Sequence, residues 1–149
     1  MRIKIALIIL ITIGLASTLA IFFFSNQIRN LDVDLKFNEK NAYNSIKDQL
    51  NIGDRIPGTE ESNETIFYFI QRFKQIDPNI IYFTHDFKVE ATDCKNILFK
   101  INEKEENVVI LGAHYDSRAK ATKDSKNPEK PVPGANDGAS GCAVLIELA

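Results

Sequence analysis

His114 and Asp116 stand two apart at the end of the apolar run VVILGAHYDS, and Asp137 follows in PGANDGASG, 23 residues beyond His114. Residues i and i+2 of an extended backbone point to the same side, so the imidazole and the Asp116 carboxylate can meet. A histidine that gives one ring nitrogen to a metal usually gives its other N–H to an acceptor, often a carboxylate, which fixes tautomer and orientation. His114-x-Asp116 therefore suits a metal ligand with its orienting group, although surface loops also contain this pair by accident. Asp137 lies among Gly134, Gly138 and Gly141, which let backbone approach closely. A carboxylate held there can bind one zinc or bridge two. An aspartate at such a turn is equally common as a local cap.

The surrounding segments have to position these side chains. VVILGA has the unbroken apolar run of a central strand buried on both faces, and functional residues of open α/β sheets gather where such strands end. Upstream, Phe37–Gly53 reads as a short helix closed by Gly53. Pro57-Gly58 turns the chain, and Thr59 or Ser62 caps a second helix with Ile66, Phe69, Ile70 and Phe73 as its core stripe. Asp77-Pro78 ends that helix. IIYFTHDFKVE alternates, placing Ile81, Phe83, His85, Phe87 and Val89 on one buried face. His85 is thus expected as a core histidine rather than a ligand. CKNILFKIN is a further strand, and EKEEN a charged turn. The segment from Arg118 to Asp137 is a loop, with solvated Arg118, Lys120, Lys123, Lys126 and Lys130. GASGCAVLIELA favours helix and places Asp137 at its start. The order is that of an α/β domain. Because Ala149 falls inside an uncapped helix, the expectation is the first part of a larger domain.

The chain's net charge of −2 is too small for nucleic-acid binding by bulk electrostatics. Ile5–Phe24 carries no charge and has the roughly 20 residues of a membrane-crossing helix. Arg2 and Lys4 precede it, so residues 1–24 read as a signal-anchor with the rest outside the cytoplasm. Residues 25–35 follow as a juxtamembrane linker and 36–149 as the domain. The alternative is a signal peptide cleaved near Thr18-Leu19-Ala20, giving a secreted protein. An oxidising compartment permits a disulfide between Cys94 and Cys142. Asn63-Glu64-Thr65 fits a glycosylation sequon, a triplet that also arises by chance.

Taken together, GAHYDSR and PVPGANDGASGCAVLIELA closely resemble the zinc aminopeptidase and glutaminyl cyclase superfamily, metallopeptidase family twenty-eight. RIPGTEESNETIFYFIQRF resembles that family's opening Arg-x-Pro-Gly-[Ser/Thr] segment and first helix. The resemblance covers Arg55 to Ala149. It implies a three-layer α/β/α zinc-exopeptidase-like fold with a mixed, mostly parallel sheet, here truncated. It matches His114 to a metal ligand, Asp116 to the catalytic aspartate that orients it, and Asp137 to an aspartate that bridges the metals in two-zinc members. The family's glutamate base, further acidic ligands and late histidine match nothing up to Ala149.

The resemblance implies a zinc-dependent aminopeptidase acting on peptides through metal-activated water, with two zinc ions. A glutaminyl-peptide cyclotransferase with one zinc is the alternative. HYDS, and a cysteine five positions after Asp137, as in animal cyclases, speak for it; their partner cysteine stands where this chain has Ala113. A non-catalytic ectodomain is a third reading, opposed by retention of all three site residues. With ligands and base missing, the 149 residues alone are expected to be inactive.

Overall fold

The structure is a computed structural model that describes residues 36–149 together with Gly14 and Ser17–Leu19. The anchor expected over Ile5–Phe24 falls, apart from those positions, outside the described residues. Gly14 and Ser17–Leu19 are helical, and the Ser17 and Thr18 hydroxyls donate to the Gly14 carbonyl at 2.9 and 3.2 Å. Among the described residues no helix is long and apolar enough to cross a membrane.

Phe37–Ala149 forms one compact unit. Helix α1 spans Glu39–Ile52; the Asn38 side chain accepts from the Lys40 and Asn41 N–H groups, and Gly53 closes the helix. Helix α2 spans Glu60–Ile76, with Thr59 accepting from the Ser62 N–H, and Asp77 ending it. Both ends obey local capping chemistry. Ile66, Phe69 and Phe73 are buried as the helical spacing requires, while Ile70 is half-buried.

Strands β1 (Ile81–Val89) and β2 (Thr92–Lys100) pair antiparallel, with Val89 opposite Thr92 across a two-residue turn. Glu90 in that turn takes a left-handed φ of 55°, which such tight hairpins demand. Lys88–Asp93 and Asp86–Lys95 face each other across the strands at 2.8 Å. Exposed pairs of this kind contribute little. Helix α3 covers Gly141–Leu148. The core gathers Phe69, Phe73, Ile80, Cys142 and Ile146, with Ile97, Phe99 and Tyr115 packed against it. Phe73 stacks on Phe99 at 3.9 Å between ring centroids, joining α2 to β2.

Away from the site residues, the structure differs from expectation at four places. The sheet has two antiparallel strands among the described residues, not a mixed, mostly parallel set. Val108–Ala113 forms no strand: it pairs with no neighbour there, and Val108, Val109 and Ile110 are 77%, 82% and 83% exposed. An apolar run becomes a strand only when a ladder partner takes its N–H and C=O groups. Here a cavity of about 580 Å³, bounded by Phe73, Ile97, Phe99, Val109, Leu111 and Ile146, separates the run from β2. His85 is exposed rather than in the core, its ring lying on Phe87 at 5.5 Å. Among the described residues its face of β1 has no covering layer, and only Phe87 on it is half-buried. Cys94 and Cys142 are both free thiols, so the bridge allowed by an oxidising compartment does not form.

Burial pushes the Cys142 thiol up to about 11, and burial likewise raises the Tyr68 and Tyr115 phenols. A raised acid holds its proton longer when folded, so the unfolded chain ionises first and stability falls as pH rises. For Cys142 this loss runs from its ordinary value near 9 to about 11, and below 9 it contributes no slope. Urea unfolding at about pH 10.5 should show a loss on the order of 2 kcal/mol from this thiol relative to about pH 7.5. In Cys142→Ala only the tyrosine part of the slope should remain; an unaltered slope would contradict the thiol's role.

Candidate metal centre

Four elements meet at His114. Residues 114–117 lie outside helix and strand, and Tyr115 is pinned between α2 and β2. Its ring meets Phe69 edge-on at 5.9 Å and its hydroxyl donates to the Lys95 carbonyl of β2 at 3.0 Å. With Tyr115 pointing inward, His114 and Asp116 project to the other side, as alternation demands. His114 Nδ1 lies 3.3 Å from Asp116 Oδ1. His114 Nε2 lies 3.0 Å from Asp137 Oδ1. The three residues singled out by spacing thus converge on one imidazole.

Asp137 does not start a helix as expected. It lies in an irregular turn, Ala135–Ser140, with φ −103° and ψ 84°, and regular helix begins only at Gly141. Gly134 enters that turn with φ 69°, and the Ala139 N–H reaches back five residues to the Gly134 carbonyl at 3.2 Å. The Ser140 hydroxyl donates to the Asn136 carbonyl at 2.7 Å and tightens the turn from inside. This widened turn swings the Asp137 side chain out to His114, where it remains 63% exposed. Gly138 passes beneath the ring so closely that a Cβ there would meet the His114 carbonyl, with Nδ1 at 2.8 Å and Cε1 at 2.9 Å.

Spacing gave no sign of two buried polar side chains behind the site. Arg55 donates from Nε to the Tyr115 carbonyl at 2.9 Å and from Nη2 to the Gly134 carbonyl at 2.8 Å. Burial lowers its guanidinium from the ordinary value, against the opposing pull of Cys142, Asp54 and Asp116. Gln49 of α1 donates to the Ala139 carbonyl at 3.1 Å. Their separation from the motifs in sequence hides both. RIPG signalled Arg55 only as part of a motif, not what it holds.

A neutral imidazole carries one N–H. If Nδ1–H is given to Asp116, Nε2 presents a lone pair to Asp137 Oδ1, and two acceptors 3.0 Å apart repel unless a cation shares them. Zinc–nitrogen and zinc–oxygen bonds of about 2.0–2.1 Å at a tetrahedral angle place two donor atoms about 3.3 Å apart. The observed separation is close to that, so the donor pair fits zinc. Asp116 sits on the opposite ring nitrogen and serves orientation. Among the described residues no cluster of three or more His, Cys, Asp or Glu side chains could hold a metal.

Residues 96–149, which contain this site, match Peptidase family M28. A probable zinc metalloprotease of Pyrenophora teres f. teres is 36% identical over 91 residues, 60% of this chain and 17% of that relative. A leucine aminopeptidase precursor of Bacteroides thetaiotaomicron matches in structure with a TM-score of 0.69 and 28% identity, over 76% of this chain and 41% of its own. A glutaminyl cyclase of the same organism matches with a TM-score of 0.68 and 30% identity, over 76% and 40%. The chain therefore spans well under half of each. The M28 match, with relatives named as zinc enzymes, makes zinc the metal implied.

The packing of Gly138 under His114 sets a direct test. Gly138→Ala should displace the imidazole and cost about 1–3 kcal/mol of stability, the usual range for an overpacked site. Imidazole NMR signals of His114 should shift while those of His85 stay in place. Unmoved His114 signals in a stable variant would show that the ring does not rest on that glycine.

Proposed function

We propose that this chain supplies part of the catalytic centre of a zinc-dependent exopeptidase of the aminopeptidase type. The observation that carries the reading is the 3.0 Å approach of His114 Nε2 to Asp137 Oδ1, with Asp116 holding the other ring nitrogen. In this reading His114 and Asp137 are metal ligands and Asp116 is the residue that orients His114. Zinc bound there supplies Lewis acidity toward a water and a peptide carbonyl. Asp116 keeps the Nδ1 proton in place, so that Nε2 faces the metal as a lone pair. Asp137, free of helical geometry, would hold the metal together with His114. Two zinc ions follow from the peptidase reading.

A glutaminyl-peptide cyclotransferase with one zinc is the second reading, supported by likeness to a glutaminyl cyclase as close as that to an aminopeptidase precursor. The substrate in either case is a peptide, and nucleic acid is no partner. The proposed organisation is a signal-anchor over 1–24, a linker over 25–35 and the peptidase-like domain from 36. That makes a single-pass membrane protein with its domain outside the cytoplasm; cleavage of the signal would make it secreted.

The activities separate on substrates. The longest form of the protein that cells produce should hydrolyse aminoacyl-anilides to the amino acid and free aniline, and Asp137→Ala should abolish turnover together with bound zinc. Cyclisation of Gln-peptides without hydrolysis would replace the peptidase by the cyclotransferase, and unchanged turnover in Asp137→Ala would remove that residue from the site. A non-catalytic ectodomain would show neither activity.

Catalytic zinc takes three protein ligands and an open position, whereas two donors converge in the described residues. The 149-residue chain by itself should therefore be inactive and lose zinc on dialysis. Stoichiometric zinc retained through dialysis would overturn the claim that ligands are lacking.

A further inference from the structure

Arg55 is the one buried charged side chain among the described residues, with no exposed surface. Its hydrogen bonds all run to main-chain carbonyls. Nε takes Tyr115 at 2.9 Å and Nη2 takes Gly134 at 2.8 Å, while Nη1 reaches Gly53 and Gln49 at 3.4 and 3.5 Å. Its own carbonyl accepts the Ser117 N–H at 3.1 Å. The first acceptor lies between His114 and Asp116; the second lies three residues before Asp137. These contacts, with the pull of nearby Asp54 and Asp116, offset the guanidinium's loss of hydration. Filling the same space with an apolar side chain would hold the fold without that penalty. The planar fork adds fixed spacing between two acceptors, which neither an apolar side chain nor a lysine provides.

We propose that Arg55 is a positioning residue that sets the distance between His114 Nε2 and Asp137 Oδ1 by holding both of their backbone segments with one guanidinium. The inference rests on the reading of His114 and Asp137 as ligands, and it concerns the geometry of the site before any metal binds. Ligand constellations tolerate errors of about 0.5 Å, so the two segments must move as one body. Gly134 enforces this from its side: a Cβ there would meet Arg55 Nη2 at 2.8 Å and Ser117 Cβ at 2.9 Å, so the turn rests directly on the clamp.

The test uses NMR of the full chain in detergent, where the count of two histidines lets His85→Gln assign the His114 ring. Wild type should show through-space contacts from the His114 ring to Gly138 and from Phe73 to Phe99. Arg55→Lys should lose the first and keep the second. Retention of both in Arg55→Lys overturns the proposal. If Arg55→Lys loses both and does not fold, hydrogen exchange on the wild type decides. The Arg55 Nε–H should then exchange at the rate of the Ser117 and Ala139 amides across sub-denaturing urea. Exchange of Nε–H well ahead of those amides overturns the proposal. Zinc addition separates the two readings. If zinc at millimolar excess, enough to occupy a weak two-donor site, leaves the wild-type His114 signals unmoved while Arg55→Lys loses the Gly138 contact, the ligand reading falls and the clamp stands. If zinc moves them equally in both proteins, with the contact retained, the clamp falls and the ligand reading stands.

Discussion

A guanidinium shut away from water has to find acceptors for its N–H groups inside the protein, and it can accept only a few arrangements of them. Arg55 meets that demand with carbonyls drawn from three separate places: the end of α1, the strand-like segment at Tyr115, and the turn at Gly134. The Gly134 carbonyl also takes the Ala139 N–H, so the guanidinium and the turn share one acceptor. A buried donor without such acceptors would carry its full desolvation cost. This dependence ties the fold to the site. The helical half supplies the donor, and the two loops that carry His114 and Asp137 supply the acceptors. Gln49 repeats the pattern one turn of α1 away, giving its amide to Ala139.

The apolar side of the same arrangement is aromatic. Phe69 holds the ring of Tyr115, Phe73 holds Phe99, and both come from one face of α2. A single helix stripe therefore sets the position of β2 and of the His114 segment together. The Tyr115 hydroxyl, bonded to Lys95, closes the triangle between α2, β2 and the site. Polar and apolar contacts constrain the same short backbone stretch from opposite sides. That is what allows an exposed histidine to hold a defined orientation.

Local chemistry made α1 and α2 readable: Thr59, Gly53 and Asp77 act within a few residues, and the spacing of Ile66, Phe69 and Phe73 repeats along one helix. The approach of His114 to Asp116 was readable for the same reason, since a histidine and an aspartate two apart can meet without help from elsewhere. What needed partners far along the chain was not. Val108–Leu111 has a strand's composition, yet strand formation depends on a neighbour that the sequence of the run cannot name. The apolar face of β1 alternates correctly, but alternation does not say whether a layer covers it, and His85 is exposed as a result. The hairpin turn at Glu90-Ala91 carries no residue that prefers a left-handed φ, so register imposed it. Asp137 escaped helical geometry because Gly134 widens the turn before it, a backbone effect that composition alone would assign to the helix. Arg55 and its acceptors lie 60 and 79 residues apart, beyond any local pattern.

The donor set also explains why two cysteines near the site need not be counted as ligands. Cys142 is buried, and its sulfur is turned to backbone. Its Sγ lies 3.4 Å from the His114 carbonyl as a donor, so it supports the backbone of the histidine rather than the ion. Cys94 donates to the Thr92 carbonyl at 3.7 Å, within its own strand. With sulfur committed elsewhere, the centre offers one imidazole nitrogen and one carboxylate oxygen. A nitrogen donor argues against calcium and magnesium, which take oxygen, and the absence of thiolate argues against the softest metals. Zinc accepts both donors at similar bond lengths. The hydrogen bond of Cys142 helps keep the His114 backbone where Arg55 and Tyr115 have placed it.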